Sequence, residues 1–90
     1  REVRMTVARR LPPESLGLIL NDAEPEIRRI VAERIQPEAL HALVQDPDWG
    51  VRLQVAERAT RRILEVLIYD TDPDVKEVAR QRLREMDTND

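Results

Sequence analysis

Basic side chains recur at a fixed interval of 24 positions along this chain, and a row of cations can bind phosphate groups. The row, here called the basic column, consists of Arg4, Arg28, Arg52 and Lys76. It lies about 100° around the helix from an adjacent apolar stripe, so we expect it to be exposed. Two interpretations stay open: a solvated helix face, or a surface that binds nucleic acid or an acidic partner. The net charge of −3 and the 2% aromatic content favour the first, because few rings are present to stack on bases.

A second candidate site is apolar and lies on a predicted helix that contains the only tryptophan. Trp49 and Leu53 are at i and i+4, on the side of the helix opposite the core-facing Val51. Exposed tryptophan is enriched among the residues that dominate binding energy at protein interfaces. Arg29 stands 24 positions before Leu53, and its guanidinium could stack on the indole ring. The alternative is that Trp49 folds over a proline of an adjacent turn.

Two further charged columns share the same period. They are Arg10, Arg34, Arg58 and Arg82, and Asp22, Asp46 and Asp70. Each arginine lies at the end of its predicted helix, where its charge complements the helix dipole. It can bond either turn carbonyls or the acidic column, and both would give it a structural role. The competing interpretation is an anion-binding stripe, which disappears if every arginine is paired.

Residue types for catalysis or metal binding are scarce. The chain has no cysteine and a single His41, which excludes thiolate zinc sites, iron–sulfur ligation and histidine clusters from it. Ser15 has no histidine nearby in sequence, and capping explains the carboxylates of Asp46 and Asp48. No apolar run approaches the roughly 18 residues that span a bilayer, and no signal-peptide pattern is present. We therefore predict a cytoplasmic chain that is not an enzyme, binds no cofactor or metal, and does not enter membranes.

The elements that must position these residues follow from an internal 24-residue repeat. With one Trp, one Tyr and no Phe or Cys, its core must be aliphatic. In each unit an acidic residue before proline, or before Trp49, begins a longer helix whose apolar residues lie at i, i+3 and i+4. The repeat is carried by further columns: Ala8, Ala32 and Ala56; Leu16, Leu40 and Leu64; Ile19, Leu43 and Leu67.

A second, shorter helix is predicted in each unit. It starts within Leu11-Pro12-Pro13-Glu14 or Ile35-Gln36-Pro37-Glu38 and has about two turns before the acidic turn, a length that tightens easily into 3₁₀ geometry. In the third unit Arg61 replaces the proline, so we expect the segment from Arg61 to Tyr69 to be a more regular α-helix.

The stretch from Glu24 to Arg34, the turn Leu11-Pro12-Pro13-Glu14 and the motif Asp46-Pro47-Asp48 resemble the leucine-rich repeat variant family. The resemblance covers essentially the whole chain and implies a right-handed superhelix of alternating α and 3₁₀ helices. Some members carry a Cys-rich iron–sulfur module, which this cysteine-free chain cannot supply. HEAT-like units of about 40 residues do not fit the period. The predicted fold is therefore all-α: a right-handed α-α superhelix, or solenoid, of 24-residue repeats that alternate a longer α-helix with a short α or 3₁₀ helix.

We expect one repeat domain over residues 1–90 and, because the chain starts within a repeat, a larger parent protein. The predicted segments are repeats at about 1–24, 25–48 and 49–72, a capping helix at 73–86 and a polar tail at 87–90. Ala79 falls one residue earlier than the alanine column predicts, which indicates a slip in the last unit. Val3, Val7 and Leu11 would be left open at one end, where self-association is possible.

The predicted function is a non-catalytic scaffold for protein–protein interaction, with Trp49, Leu53 and Arg29 as anchor residues. Nucleic-acid binding along the basic column is the alternative from another class, and it predicts an affinity that falls steeply with salt. A third interpretation is a purely structural spacer within a larger protein.

Overall fold

Seven helices and no strand make up residues 2–88, the part of the chain that the computed structural model describes. In chain order they are α1 (Glu2–Arg10), a first 3₁₀ helix (Pro13–Ile19), α2 (Pro25–Arg34), a second 3₁₀ helix (Pro37–Leu43), α3 (Trp49–Arg58), α4 (Arg61–Leu67) and α5 (Pro73–Thr88). The prediction of an all-helical chain is confirmed. The last helix runs two residues beyond the predicted end at position 86, and the remainder of the predicted tail, 89–90, lies outside the described residues.

The start of each short helix decides its geometry. In the second 3₁₀ helix, which begins at Pro37, the N–H of Ala39 bonds the carbonyl of Gln36 at 2.9 Å, a bond to the third residue back. In α4, which begins at Arg61 without a proline, the N–H of Leu64 bonds the carbonyl of Thr60 at 3.0 Å, a bond to the fourth residue back. The predicted α form is therefore confirmed for Arg61–Leu67, and the helix ends two residues before the predicted end at Tyr69.

The core of the described residues is aliphatic and consists of a main cluster and a smaller one of Ala8, Ile27 and Ile30, with Ile19 packed against both. Both the long and the short helices supply fully buried side chains to it: Leu16, Leu40, Leu64, Val51 and Val55. Burial of each such side chain contributes about 1.5–3 kcal/mol, so no aromatic residue is needed at the centre.

The last helix keeps the register of the preceding ones, and the predicted slip at Ala79 is wrong. Ala79 is fully buried, as are Val31 and Val55, which stand 48 and 24 positions earlier. The exposed Arg80 takes the place of the alanine column, so α5 has a large charged side chain where α2 and α3 have a buried methyl group.

Arginine side chains tie successive long helices together. Arg34 donates from Nη1 to the carbonyl of Ala8 at 2.7 Å, and Arg58 donates to that of Ala32 at 2.8 Å. Arg82 donates to Ala56 and Ala59 at 3.0 and 2.7 Å. The acceptors Ala8, Ala32 and Ala56 lie in the last turns of their helices, where carbonyls have no partner within the helix. Of the two partners predicted for these arginines, the structure uses the backbone carbonyls and not the aspartates.

The packing order of the helices decides which faces remain exposed. The long helix α2 packs on α1 and α3, and α5 packs on α3 and α4, within overall dimensions of 42 × 25 × 16 Å. Since α3 has neighbours on both sides, its lateral faces are covered, whereas the outer surfaces of the short helices are open. No helix within residues 2–88 has the length and apolarity to cross a membrane.

Candidate interaction surfaces

The acidic column pairs with the basic column, and we call these pairs the ion-pair ladder: Arg4 with Asp22, Arg28 with Asp46, and Arg52 with Asp70. All three pairs are bidentate. In the inner two, Nε lies 2.8 Å from Oδ2 and Nη2 lies 3.1 or 3.2 Å from Oδ1, and in the Arg4 pair the same two distances are 3.0 and 3.3 Å. Such paired, charge-assisted bonds are the strong form of the arginine–carboxylate interaction.

The expectation that the basic column is exposed is wrong for its inner members. The Arg28 and Arg52 side chains are only 13% and 15% exposed, and their partners Asp46 and Asp70 are 5% and 7% exposed. Helical periodicity placed these arginines at the flank of a stripe, but the acidic turn 18 residues later folds over the flank and covers it. Buried and neutralised in this way, the two inner arginines are not available to a phosphate group.

Backbone groups complete the ladder. Arg28 also donates from Nη1 to the carbonyl of Asp22 at 2.8 Å, and Arg52 does so to that of Asp46 at 2.7 Å. Each aspartate in turn accepts the N–H two residues further on, at 2.8–2.9 Å. Within the described residues no buried side-chain nitrogen or oxygen lacks a partner. The ladder therefore fixes the acidic turns, which is a structural role.

Charge states follow from this geometry. The hydrogen bond to Asp46 raises the pKa of Arg28, and the hydrogen bond to Asp70 raises the pKa of Arg52. Burial alone would raise the pKa of Asp70, but hydrogen bonds from Arg52 and from the Asp72 N–H outweigh it, so the net pKa is lowered. The Arg52–Asp70 pair therefore remains charged throughout the neutral pH range.

The two ends of the basic column differ from its centre. The Arg4 side chain is 49% exposed and lies 3.0 Å from Asp22 and 3.4 Å from Glu24. Lys76 is partly exposed and makes no side-chain ion pair with another described residue. A continuous row of available cations is therefore absent from the described part of the chain.

A second cluster surrounds Trp49, which is 47% exposed. The guanidinium carbon of Arg29 lies 5.9 Å from the centre of the indole ring, which confirms that this arginine lies over Trp49. Arg29 is held there by Asp48, with Nε–Oδ2 and Nη2–Oδ1 distances of 2.8 and 3.0 Å. The Arg29 hydrogen bond lowers the pKa of Asp48, which also caps α3 through the N–H of Val51.

Gly50 makes room for this arrangement. A Cβ at that position would overlap the guanidinium of Arg29, so any larger residue would push the arginine away. Leu53, by contrast, is partly buried and packs against the core. The expectation that Leu53 is exposed together with Trp49 is therefore wrong, because its side chain packs against the main core cluster.

Exposed apolar side chains on the short helices and in the turn after α4 mark a surface that the sequence analysis missed. Leu18, Val66 and Tyr69 are 82%, 56% and 81% exposed, and Ala42 is exposed as well. Leu18, Ala42 and Val66 stand 24 positions apart, so they could have been found as one more apolar column beside the buried leucines. A two-turn helix cannot bury that many apolar positions on one stripe.

This surface carries two grooves at equivalent places. The first, of 390 Å³, has Asn21, Ala42 and Gln45 on its walls, with the Arg28–Asp46 pair at its base. The second, of 490 Å³, has Gln45, Val66 and Tyr69 on its walls, with the Arg52–Asp70 pair at its base. Each residue lining the second groove lies 24 positions after a residue lining the first. The two grooves are therefore repeats of one site, and the second is the more apolar of the two.

The face of α1 that was expected to be open is exposed. Val3 and Val7 are 75% and 41% exposed, and Leu11 helps to line a shallow cavity of 230 Å³. Self-association through this face stays a prediction.

Comparisons with family models, with curated proteins and with solved structures found no match to this chain. Among residues 2–88 no group of three or more histidine, cysteine or acidic side chains is placed to hold a metal ion.

Proposed function

We propose that the chain is a non-catalytic helical-repeat scaffold that binds a protein partner through the outer surface of its short helices. The observation that carries the proposal is the recurrence of exposed apolar residues in two equivalent grooves, with Ala42 in the first and Val66 and Tyr69 in the second. Leu18, one unit before Ala42, is exposed as well. Contiguous exposed apolar surface rimmed by polar groups is typical of a protein-binding site.

The finer fold belongs to the same proposal: one repeat domain forming a right-handed superhelix of 24-residue units, of the kind implied by the resemblance to the leucine-rich repeat variant family. Its support is the periodicity of the bonds. The arginine-to-carbonyl bonds of Arg34, Arg58 and Arg82 recur at intervals of 24 positions, as do the pairs of the ion-pair ladder. Repeat arrays of this kind present extended surfaces to partners.

Trp49 and Arg29 form a second proposed anchor on the long-helix side. The indole is half exposed and rigidified by the guanidinium above it, a pairing typical of residues that dominate interface energy. We do not propose Leu53 as a binding residue, because its side chain packs against the core.

Nucleic-acid binding is less well supported than protein binding. Its proposed site, the basic column, has its two inner cations bound by aspartates and largely buried. A polyanion would have to displace those carboxylates at the full cost of breaking each pair. A role as a purely structural spacer would be consistent with the ladder, but it gives no reason for the exposed apolar surface.

Affinity capture with matched variants tests the proposal. The groove variant Ala42→Ser/Val66→Ser/Tyr69→Ser changes three exposed side chains that line the grooves and is expected to keep the helical circular dichroism of the wild type. The control variant Glu33→Ser/Glu57→Ser changes exposed residues on the long helices. We expect proteins enriched by the wild type and the control to be lost with the groove variant, and binding of the purified partner to follow the same order.

Equal capture by the wild type and the groove variant would contradict the proposed surface. If capture were lost with Trp49→Ser but not with the groove variant, the binding site would instead be the second anchor, Trp49 with Arg29. A DNA or RNA gel shift that weakens steeply with salt and is abolished by Arg4→Ala/Lys76→Ala would favour the nucleic-acid alternative instead.

A further inference from the structure

We infer that the two equivalent grooves together accept one uncharged segment of a partner in the polyproline II conformation, with an apolar side chain at every third position. This inference rests on the proposed protein-binding function and names the kind of segment that would occupy its surface. Three properties of the grooves lead to it: their spacing, their charge and their open hydrogen-bonding groups.

The spacing of the grooves fits a period of three residues. The grooves are offset by one unit, and successive units pack through neighbouring helices such as α2 and α3. Packed helices lie about 8–10 Å apart. A polyproline II helix has three residues per turn and brings side chains back to the same face about every 9 Å. A β-strand does so about every 7 Å, so its side chains would fall out of step with the grooves.

The charge of the grooves favours an uncharged occupant. Their charged lining residues are already paired at the base: Asp22 with Arg4, Arg28 with Asp46, and Arg52 with Asp70. A lysine, arginine or phosphate entering either groove would lose hydration without gaining a free counter-charge. Because the charges at the bottom of each groove are already neutralised, the segment that best complements the grooves has no charged side chains.

The open polar groups on the walls match free backbone carbonyls. Asn21, Gln45 and Tyr69 occupy equivalent positions in successive units, and all three side chains are exposed. Their amide and phenol groups can donate hydrogen bonds. The carbonyls of a polyproline II segment make no internal hydrogen bonds and can accept them, whereas those of an α-helix are already used. The ring of Tyr69, 81% exposed beside Val66, adds a flat apolar wall of the kind that packs against proline.

Titration with designed peptides tests the inference. The probe is an acetylated, amidated peptide of three Pro-Pro-Leu triplets, added to the ¹⁵N-labelled chain and followed by amide chemical shifts. We expect saturable binding with a Kd of about 1 mM or tighter, with shifts centred on Ala42, Gln45, Val66 and Tyr69. Tyr69→Ser is expected to weaken binding about tenfold, and Tyr69→Phe less, because it keeps the ring and loses only the hydroxyl donor. Trp49→Ser, the matched loss of an exposed aromatic residue elsewhere, is expected to leave binding unchanged.

Three control peptides decide the outcome. A peptide of the same composition with contiguous leucines, and one of three Pro-Pro-Lys triplets, are expected to bind at least about tenfold more weakly. Equal binding of either would overturn the inference, as would binding only of an amphipathic helical peptide with leucines seven residues apart. If no peptide binds but the groove variant still loses its captured partner, the polyproline II inference fails and the proposed function stands. If the triplet peptide binds as expected while capture is unaffected by the groove variant, the proposed function fails.

Discussion

Two pairs of the ion-pair ladder have the same residue types and lie in different surroundings. At the α1 end, Arg4 is 49% exposed and its Nε lies 3.0 Å from Asp22. At α3, Arg52 is 15% exposed and its Nε lies 2.8 Å from Asp70. The position within the repeat unit determines which residue types form the pair. The helices packed alongside determine how far its arginine is buried, and α3 has both α2 and α5 as neighbours. We expect this difference in depth to control how much each pair contributes to the free energy of unfolding.

The buried pair gives the largest expected effect. Arg52→Ala would leave the Asp70 carboxylate, 7% exposed, without its cation and would remove the bond to the Asp46 carbonyl. We expect the free energy of unfolding to fall by about 2–3 kcal/mol, as for lost hydrogen bonds to buried charged groups. Urea denaturation monitored by circular dichroism measures the change. A loss below about 1 kcal/mol would mean that this pair behaves like an exposed one.

The pH dependence of stability provides the next test of the buried pair. Burial acts to raise the pKa of Asp70, but bonds from Arg52 and the Asp72 N–H outweigh it and hold the net pKa below the ordinary value of about 4. A group with a lowered native pKa stabilises the fold fully above its unfolded pKa and loses that contribution as the pH falls through the native value. We expect Asp70→Asn to cost about 1–2 kcal/mol at pH 7 and to flatten the loss of stability below about pH 5.

The Arg52→Ala background is the control for this titration. Without Arg52 the pKa of Asp70 loses its largest lowering contact, so Asp70→Asn should there have a smaller effect on the acid limb. An unchanged effect in that background would show that the aspartate is stabilised by its backbone contacts alone.

A pair whose arginine is exposed to nearly the same extent as Arg4 sharpens the comparison. In the Arg29–Asp48 pair the side chains are 44% and 18% exposed. Gly50→Ala places a methyl group where the Arg29 guanidinium lies and should displace it without removing any charge. We expect a cost of up to about 1 kcal/mol, partly offset by the better helix propensity of alanine, and a change in Trp49 fluorescence as the cation leaves the ring. An unchanged emission spectrum in Gly50→Ala would mean that the methyl group is accommodated with the arginine still over the indole.

Local patterns allow the helices to be predicted, because the signals that start them are local. Proline at position 37 and its absence at position 61 distinguish the 3₁₀ helix from α4, and both sequence expectations hold. The hydrogen bonds from Arg34 and Arg58 to backbone carbonyls are one of the two arrangements that the sequence predicts. They form because the carbonyls at helix ends have no partner within the helix.

Exposure could not be predicted in the same way, because it depends on segments distant in sequence. Arg28 is covered by a turn 18 residues later, and Leu53 packs against a core cluster to which several other helices contribute. Helical periodicity describes one helix and contains no information about its neighbours. For the same reason the grooves, which form between a turn and the next short helix, become visible only when the units are in contact.

The exposed pair gives the smallest expected effect and so fixes the other end of the comparison. Arg4→Ala removes contacts to Asp22 and Glu24. Asp22 is only 9% exposed, much like Asp70, so the two pairs differ in the arginine: half of the Arg4 side chain is already in water, where salt screens the attraction. We expect a loss of about 0.5 kcal/mol or less, shrinking further as the ionic strength is raised. The Arg52→Ala loss should persist at high salt, because a desolvated pair is screened far less. If the two variants instead lost equal stability with equal salt dependence, burial would not control what a pair contributes to the free energy of unfolding. The bidentate geometry that both pairs share would then be the controlling factor.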